Sequence, residues 1–321
     1  MIRFLQIFVS LALISWIVVT VDLSEVGIHL RNVHMEYIAL TLPLIAFDRW
    51  LMSAKWNLLL KAQQLSISEW HCFRIYAVSN FVGLFLPATV GADLSRAALA
   101  KYEGLPLAEV ASSILVERLL GFFALVFMTT VGALLLTLFF SETRFSGHYL
   151  LSIATIGSAF FILMIFTSFS QSAQRVIEAG LKRLSSWGKR LEKLSALLGK
   201  TYAAYLQYRG HKTTLIVFFA LSCLEGATLI LLAYVVTLAL DIQVNFVYLA
   251  ACISVVVFII RLPLSIDGIG VYEKGVQFFL VQVGISASLG LAAGILFHLV
   301  CLVALLPGGV IMAFYRRPAL P

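Results

Sequence analysis

The chain has 321 residues, of which 61% are hydrophobic and 12% are charged, and its mean hydropathy is +0.99. Soluble domains have about 45–50% apolar and about 25% charged residues, so this composition excludes an ordinary soluble protein and indicates an all-α polytopic membrane protein. The formal net charge of +7 matches the Lys and Arg excess of cytoplasmic loops, and we expect no nucleic-acid partner.

Apolar runs recur along the whole chain, and most are long enough to cross about 30 Å of hydrocarbon. They are Phe4–Val21, Tyr37–Leu60, Leu107–Phe140, Tyr149–Phe169, Thr213–Leu240, the shorter Phe246–Ile260, and Ser286–Phe314. We expect the first run to be a retained helix, because Val21-Asp22-Leu23 lacks the small residues of a signal cleavage site. Arg316 and Arg317 predict a cytoplasmic C-terminus.

The second run carries charged residues whose depth differs. We expect Lys55 and Trp56 to lie at the membrane interface, where long cations and tryptophans anchor a helix. Asp48 and Arg49 are expected to lie deeper. Adjacent helical residues point about 100° apart, so these two need not pair with each other.

Two other apolar segments are interrupted by residues that break helices. Asn80–Arg96 and Phe258–Gly275 each contain Leu-Pro, then a glycine four or five residues later, then charged residues. The residues predicted to form the breaks are Pro87, Gly91, Pro263, Gly268 and Gly270. A break leaves backbone groups unpaired, which a bilayer tolerates only where protein buries them or water reaches them. Two broken segments in corresponding positions of two related halves indicate a transporter binding site.

The polarity of a helix start adds a chemical expectation to these breaks. A helix that begins after Gly91 or Gly270 would direct its positive end into the membrane, which favours an anion such as a phosphate. Arginine supplies a planar fork that matches phosphate oxygens.

The segment 171–212 is the one long polar stretch, with nine Lys or Arg residues against Glu178 and Glu192. Its apolar residues recur at steps of three and four, which is typical of one face of a helix. We expect a basic amphipathic helix on the cytoplasmic membrane surface, attracted to anionic lipid. A solvated helical hairpin between spans is the alternative.

These elements predict one integral membrane domain over residues 1–321, with about eight crossings, one or two re-entrant or broken helices, and both termini in the cytoplasm. The expected location is the inner (cytoplasmic) membrane. The oligomeric state is open.

Charged residues inside the predicted membrane region are the candidate functional residues, since a charge at the bilayer centre costs about 2.5–3.5 kcal/mol on insertion scales and faces a bundle interior or a wet cavity. They are Asp48, Arg49, Asp93, Arg96, Glu117, Arg118, Glu225, Arg261, Asp267, Glu273 and Lys274. Structural ion pairs, such as Asp93 with Arg96 three residues on, are the alternative interpretation, and Arg261 and Lys274 are alternatively interface residues.

Three short segments of the sequence resemble motifs of the lysylphosphatidylglycerol synthase transmembrane-region family. This family includes the flippase part of bacterial multiple-peptide-resistance proteins. Leu86-Pro87 with Gly91, Asp93 and Arg96 looks like its first signature, Glu117-Arg118 its second, and Pro263–Glu273 its third. The sequence departs from the third pattern at Asp267, where a glycine is usual, and at Tyr272, where an arginine is common before the glutamate.

The resemblance implies a lipid-translocating bundle with two re-entrant elements and no fused aminoacyl-transferase. On this hypothesis a lipid with a phosphate-containing headgroup, a phospholipid or a polyprenyl-phosphate-linked lipid, enters a polar cavity between the broken segments. Arg96, Arg118 and Arg261 would bind the phosphate. Asp93, Glu117, Asp267 and Glu273 would orient these arginines or bind a cationic headgroup, and Glu225 would serve a proton-coupled step.

Two other functions stay open at this point. The chain would be a non-transporting partner of an envelope-lipid or glycolipid enzyme, with segment 171–212 as its docking surface, or a membrane transferase whose carboxylates act as bases or metal ligands. The sequence has scattered histidines and cysteines at no metal-like spacing and no GxxxxGK[ST] motif. We therefore expect no enzyme activity, no cofactor and no metal, and any energy from a gradient or downhill flow.

Overall fold

A computed structural model of the chain describes residues 15–17, 19–86, 90–139, 170–186, 189–261 and 268–315, together with residues 152, 155–157, 159 and 163. Every regular element in this described part is a helix. The prediction of an all-α membrane protein is therefore confirmed. The predicted run Phe4–Val21 and the run Tyr149–Phe169 fall largely outside the described residues.

The helices follow one another along the chain with short connections. They are α1 (Leu23–Arg31), α2 (Met35–Ala62), α3 (Glu69–Gly83), α4 (Val90–Tyr102), α5 (Leu107–Phe139), α6 (Gln171–Ser185), α7 (Lys189–Gln207), a 3₁₀ turn (Tyr208–Gly210), α8 (Lys212–Ala239), α9 (Phe246–Arg261), α10 (Val271–Gln282), α11 (Ala287–Val303) and α12 (Leu306–Ala313).

Three stretches of the described chain are helical, long and apolar enough to cross a membrane. They are Leu107–Leu138, Lys212–Ala239 and Ala287–Ala313, and the shorter apolar helix Phe246–Ile260 accompanies them. Helix α2 has 28 residues, a length of about 42 Å, but it carries Asp48, Arg49 and Lys55. The predicted count of about eight crossings stays a prediction.

The last predicted crossing, Ser286–Phe314, corresponds to the candidate span Ala287–Ala313, but the helix is interrupted within it. The structure ends α11 at Val303 and starts α12 at Leu306. Pro307 lies in the first turn of α12, where its missing N–H does no harm, whereas inside a continuous helix it would remove a backbone hydrogen bond.

The polar segment 171–212 forms two helices, α6 and α7, which pack on each other. The Ser195 hydroxyl of α7 donates to the Leu181 carbonyl of α6 over 2.7 Å. Helix α7 also packs on α5, and Tyr208 at its end donates to the Leu59 carbonyl over 2.9 Å. The segment therefore forms two helices and not one, while its location on the cytoplasmic membrane surface stays a prediction.

The first predicted break is bracketed by α3 and α4, of 15 and 13 residues, both shorter than the roughly 20 residues that span a bilayer. The two helices pack on each other. Gly83 and Ala92 approach so closely that a Cβ on Gly83 would lie 2.7 Å from the Ala92 Cβ. A glycine is therefore needed where the two arms of this segment meet.

The second predicted break lies between α9 and α10. Gly268 and Gly270 have φ of 78° and 82°, a backbone region that side chains with a Cβ disfavour. Helix α10 starts immediately afterwards, at Val271. Both helix breaks therefore lie where the sequence predicted them.

Two helix pairs in the core pack so closely that they require glycine at the point of contact. A Cβ on Gly132 of α5 would lie 2.7 Å from the Ala251 Cα of α9, and one on Gly294 of α11 would lie 2.7 Å from the Glu273 Cα of α10. Buried apolar residues of α8, α9, α10 and α11 form the largest core cluster. This core supports the polar site that follows.

Candidate functional site

Four charged side chains from the first two sequence motifs form one ion network. Asp93 accepts from Arg96 Nη2 over 3.1 Å and from Arg118 Nε over 2.7 Å. Glu117 accepts from Arg96 Nη1 over 2.8 Å and from the Tyr76 hydroxyl over 2.9 Å. Helices α3, α4 and α5 are thereby joined at one polar point. The alternative of a local pair between Asp93 and Arg96 describes only part of this network.

The two arginines of the network differ in access. The Arg96 side chain is 3% exposed, while that of Arg118 is 30% exposed. The Arg96 guanidinium also lies 4.6 Å from the Tyr76 ring centroid and 5.0 Å from that of Trp56, which are cation–π distances. Arg96 is enclosed by carboxylates and rings, whereas Arg118 is reachable.

A second ion pair lies between helices α2 and α8. Lys55 donates to Glu225 and, over 3.2 Å, to the Ser222 hydroxyl. The lysine residue is 4% exposed and Trp56 beside it is fully buried. The expectation that Lys55 and Trp56 lie at the membrane interface was therefore wrong: Trp56 donates from its indole to Ser113, and the ammonium group is neutralised inside the bundle.

Asp48 and Arg49 do pair, although their neighbouring positions did not require it. Arg49 Nη2 donates to Asp48 Oδ2 over 2.6 Å, and the carboxylate side chain is 3% exposed while that of the arginine is 24% exposed. Asp48 Oδ1 and Arg49 Nε are buried with no hydrogen-bond partner in the described part of the chain.

Glu273, the glutamate of the third motif, binds the backbone at the start of its own helix, α10. Glu273 accepts from the Gly270 backbone N–H over 2.7 Å and pairs with His298 Nδ1 of α11 over 2.8 Å. The start of α10 was expected to present its amides to an anion, but the Gly270 amide is already bound to this carboxylate. The Gly270 amide is therefore not available to an anion in this arrangement.

Both helix breaks border one cavity of about 280 Å³. Gly83, Leu84 and Ala92 line it from the first break, and Ile260 and Tyr272 from the second. Its other lining residues are Arg49, Met52, Asn80, Arg118, Phe297, His298, Cys301, Leu302 and Leu305. We call this space the headgroup cavity. Its position between the two broken segments is the one that the sequence predicted for a polar cavity.

Two polar atoms of the cavity-lining residues have no hydrogen-bond partner among the described residues. They are Arg49 Nε and the Tyr272 hydroxyl. The Tyr272 ring is stacked on Phe297 with centroids 4.6 Å apart, so its position is constrained. A buried polar atom without a partner costs about 1–3 kcal/mol, so each of these two atoms would be stabilised by a polar group that reached it.

A smaller gap of about 30 Å³ lies between the ion network and the Lys55–Glu225 pair. Glu117 and Arg118 line one side, and Lys55, Ser222 and Glu225 line the other. That is room for a water molecule with several polar neighbours. The two ion groups are thus close enough to share one polar region.

The formal charges of this region balance. Four cations, Lys55, Arg49, Arg96 and Arg118, face four carboxylates, Asp48, Asp93, Glu117 and Glu225. A balanced set is far less costly in a membrane than unpaired charges would be. Seven of these eight residues, all except Lys55, are among the predicted intramembrane charges, and each has an oppositely charged partner in the structure.

The structure brings together some predicted site residues and separates others. Asp93, Arg96, Glu117 and Arg118 form one network, Glu225 lies across the small gap, and Glu273 binds His298 at the second break. Pro87, Pro263 and Asp267 lie outside the described residues, and the side chain of Arg261 does too. Gly91 follows the first break and packs on Leu86.

The sequence named Arg49 only as an intramembrane charge, without a role, and did not assign Asn80, Tyr272 and His298 to a site. All four line the headgroup cavity. A signal for Tyr272 was present, because it stands where the family pattern has an arginine. Arg49 and Asn80 lie at ordinary helical positions, and their role depends on packing between distant segments.

Comparison with known proteins identifies one family for this chain. The family model described as the lysylphosphatidylglycerol synthase TM region matches residues 3–309, nearly the whole chain. No curated protein and no solved structure matches the chain. With the family model covering its motifs, its helix breaks and the helices around them, the chain belongs to the lysylphosphatidylglycerol synthase transmembrane-region family, and it is a multi-pass membrane protein.

Proposed function

We propose that this protein is a lipid transporter of the flippase type, which moves a lipid with a phosphate-containing headgroup across the membrane. The observation that carries the proposal is the headgroup cavity of about 280 Å³, because both helix breaks, Arg49 and Arg118 all border it. Transporters place their sites at such breaks, where irregular backbone lines a cavity.

The lining side chains suit a phosphate. Arg49 and Arg118 are each bound to a carboxylate on one side, over 2.6 and 2.7 Å, and each retains partial exposure. A guanidinium group has five N–H donors, so each arginine can hold its carboxylate and still donate to a phosphate oxygen. The Tyr272 hydroxyl, which lacks a partner in the described part of the chain, would supply a further donor. Arg96 would position Glu117 and Asp93 rather than touch the lipid.

A second, apolar cavity adjoins this site and suits an acyl chain. It has a volume of about 270 Å³ and shares Arg49, Asn80 and Leu305 with the headgroup cavity. Its other lining residues are mostly apolar, among them Ile45, Phe73 and Val303. A polar cavity joined to an apolar one at an arginine has the two-part chemistry of an amphiphile.

The balanced network gives a physical route for exchange. When a phosphate approaches Arg118, it competes with Asp93 for the same guanidinium, and a cationic headgroup would compete for the carboxylate in the same way. Either exchange replaces one charge-assisted contact with another, so the site need not leave a buried charge unpaired. The Lys55–Glu225 pair across the small gap would respond to such a shift, and we assign Glu225 to a proton-coupled step.

The finer topology is part of the proposal. We place α3–α4 and the α9–α10 break as re-entrant elements of two pseudo-related halves, and the basic hairpin α6–α7 on the cytoplasmic face of the inner membrane. Arg175, Lys182 and Arg183 are exposed on α6, and Val176 beside them is 72% exposed. Basic and apolar residues exposed together favour anionic lipid.

The experiment is lipid transport by the purified full chain in liposomes, with fluorescent phospholipid and polyprenyl-phosphate lipid tested separately. We expect transport above protein-free liposomes, and a loss of roughly ten- to a hundredfold for Arg118→Gln, the size of one charge-assisted contact of about 1.5–3 kcal/mol. Arg209→Gln, an exposed arginine outside the cavity, is the matched control. Failure of the wild-type protein to move any of these lipids would overturn the proposal.

A second function, that of a non-transporting partner of an envelope-lipid enzyme, is favoured by the same exposed hairpin surface. It predicts a different variant pattern. Charge reversal at Lys182 and Arg183 would abolish the cellular function, while Arg118→Gln would leave it intact.

A further inference from the structure

A further cavity lies away from the headgroup cavity, on the other side of α10. Its volume is about 780 Å³, within the roughly 300–1,000 Å³ typical of small-molecule sites. Residues near the N-terminus, α9 and α10 border it, and most of its walls are apolar. Its apolar lining includes Val21, Val256, Phe258, Phe278, Phe279 and Val281. We call it the rear cavity.

Helix α10 contributes lining residues to both cavities. Tyr272 faces the headgroup cavity. Val271, Lys274, Phe278 and Val281 recur at steps of three and four and line the rear cavity, as one face of a helix does. The same short helix thus presents a tyrosine to one space and a lysine to the other.

Lys274 is held in place at the rear cavity by neutral groups. Its Nζ donates to Gln277 Oε1 over 2.8 Å and to the Thr20 hydroxyl over 3.3 Å. It also lies 4.9 Å from the Trp16 ring centroid. No carboxylate among the described residues lies within ion-pair distance of it, because Glu273 beside it is turned to Gly270 and His298. The ammonium group therefore differs from Lys55, Arg49, Arg96 and Arg118, each of which is paired with a carboxylate.

We propose that the rear cavity binds one anionic phospholipid from the surrounding bilayer, with an acyl chain in the apolar space and the phosphate at the Lys274 ammonium group. Charge complementarity selects the occupant: the cavity has an apolar interior and one cation without a carboxylate partner in the described chain. Trp16 and Thr20 would flank the headgroup. This lipid is a bound partner of the fold and is separate from the transported one.

The rear cavity lies between α9 and α10, the two helices of the second break, so this lipid would contact both. Gly275, which lines the cavity, packs on Val256 of α9, where its Cβ position lies 3.0 Å from Val256 Cγ2. A lipid seated between α9 and α10 would fill the space beside this contact and hold the two helices at their observed separation.

The test is native mass spectrometry of the purified full chain after exposure to mixed phosphatidylglycerol and phosphatidylcholine in detergent. We expect retained phosphatidylglycerol on the wild-type protein and about fivefold less on Lys274→Gln, the size of one lysine contact with anionic lipid. Lys274→Arg should keep it, and Lys101→Gln, an exposed lysine that lines neither cavity, is the control. Val281→Trp, which keeps the lysine but fills the apolar space, should lose it.

Three results would overturn this inference. They are equal retention by Lys274→Gln and wild type, equal retention of phosphatidylcholine, and full retention by Val281→Trp. Arg118→Gln separates the two sites, since we expect it to retain this lipid while transport falls. Loss of the retained lipid in Arg118→Gln would place it in the headgroup cavity and contradict a separate site.

Discussion

Arg118 donates from Nε to Asp93 Oδ2 over 2.7 Å, which joins two motifs that lie 25 residues apart in the chain. Asp93 also holds Arg96, so one carboxylate positions both an enclosed and a reachable arginine. The reachable one, Arg118, lines the headgroup cavity. We therefore regard Asp93 as the residue that positions the Arg118 guanidinium group at the cavity.

Asp93→Asn tests this positioning role. The amide keeps the shape but removes the charge that neutralises two arginines, and since the Asp93 side chain is 18% exposed we expect a loss of about 1–3 kcal/mol, below the 3–5 kcal/mol of a fully buried pair. Thermal unfolding in detergent measures it. Glu178→Gln on the exposed hairpin is the control. An Asn variant as stable as this control would contradict the network.

The Lys55–Glu225 pair should show strong coupling. Removing either partner leaves a buried charge unpaired, which costs about 3–5 kcal/mol, while replacing both with methionine removes the cost of burying charges. A double-mutant cycle on unfolding free energies, with Lys55→Met and Glu225→Met, measures this. We expect the double variant to be more stable than either single variant. Additive losses would show that the two side chains do not interact.

A cluster outside the spans predicts a pH dependence. His34, just before α2, contacts Asp241 through Nε2 over 2.9 Å and Glu36 through Nδ1 over 3.1 Å. Asp241 first, and Glu36 next, raise the pKa of His34 above its ordinary value. A raised pKa in the folded state means that the contribution to stability is fully present below about pH 6.5, the ordinary value, and is lost as pH rises through the raised pKa.

The measurement for this cluster is the unfolding temperature from pH 5.5 upward. Wild type should lose stability over that window relative to His34→Gln, which cannot gain a proton. Asp241→Asn should narrow the pH range over which stability is lost, because it removes the largest cause of the raised pKa of His34. The same pH profile for His34→Gln and wild type would rule this cluster out.

Close helix contacts predict the effect of adding one methyl group. In Gly294→Ala the new Cβ would meet Glu273 backbone 2.7 Å away, so α10 and α11 must separate, at a cost of about 1–3 kcal/mol. Gly121→Ala is the matched control, because nothing lies within 4 Å of its Cβ position and alanine is the better helix former. Similar unfolding temperatures for both variants would contradict the close approach.

Much of the fold was predictable because hydropathy acts locally. Leu107–Phe140 was predicted as a span and forms α5 over Leu107–Phe139, and Thr213–Leu240 forms α8 over Lys212–Ala239. The helix interruptions were predictable for the same reason, since proline and glycine act on their own backbone.

The partners of the charged residues were harder to predict. Lys55 follows an apolar run and precedes a tryptophan, a pattern typical of a membrane interface, but its partner Glu225 lies 170 residues away. Pairing across that distance depends on how α2 and α8 pack. For the same reason the sequence assigned Arg118 but not Arg49 to the phosphate, although the two line one cavity.

The most direct measurement is an experimental structure of the full chain with its co-purified lipid. The account predicts headgroup phosphate density between the two helix breaks, within hydrogen-bond distance of Arg49, Arg118 and the Tyr272 hydroxyl, with an acyl chain in the adjoining apolar cavity. A lipid phosphate bound elsewhere, with water alone between Arg49 and Arg118, would contradict it.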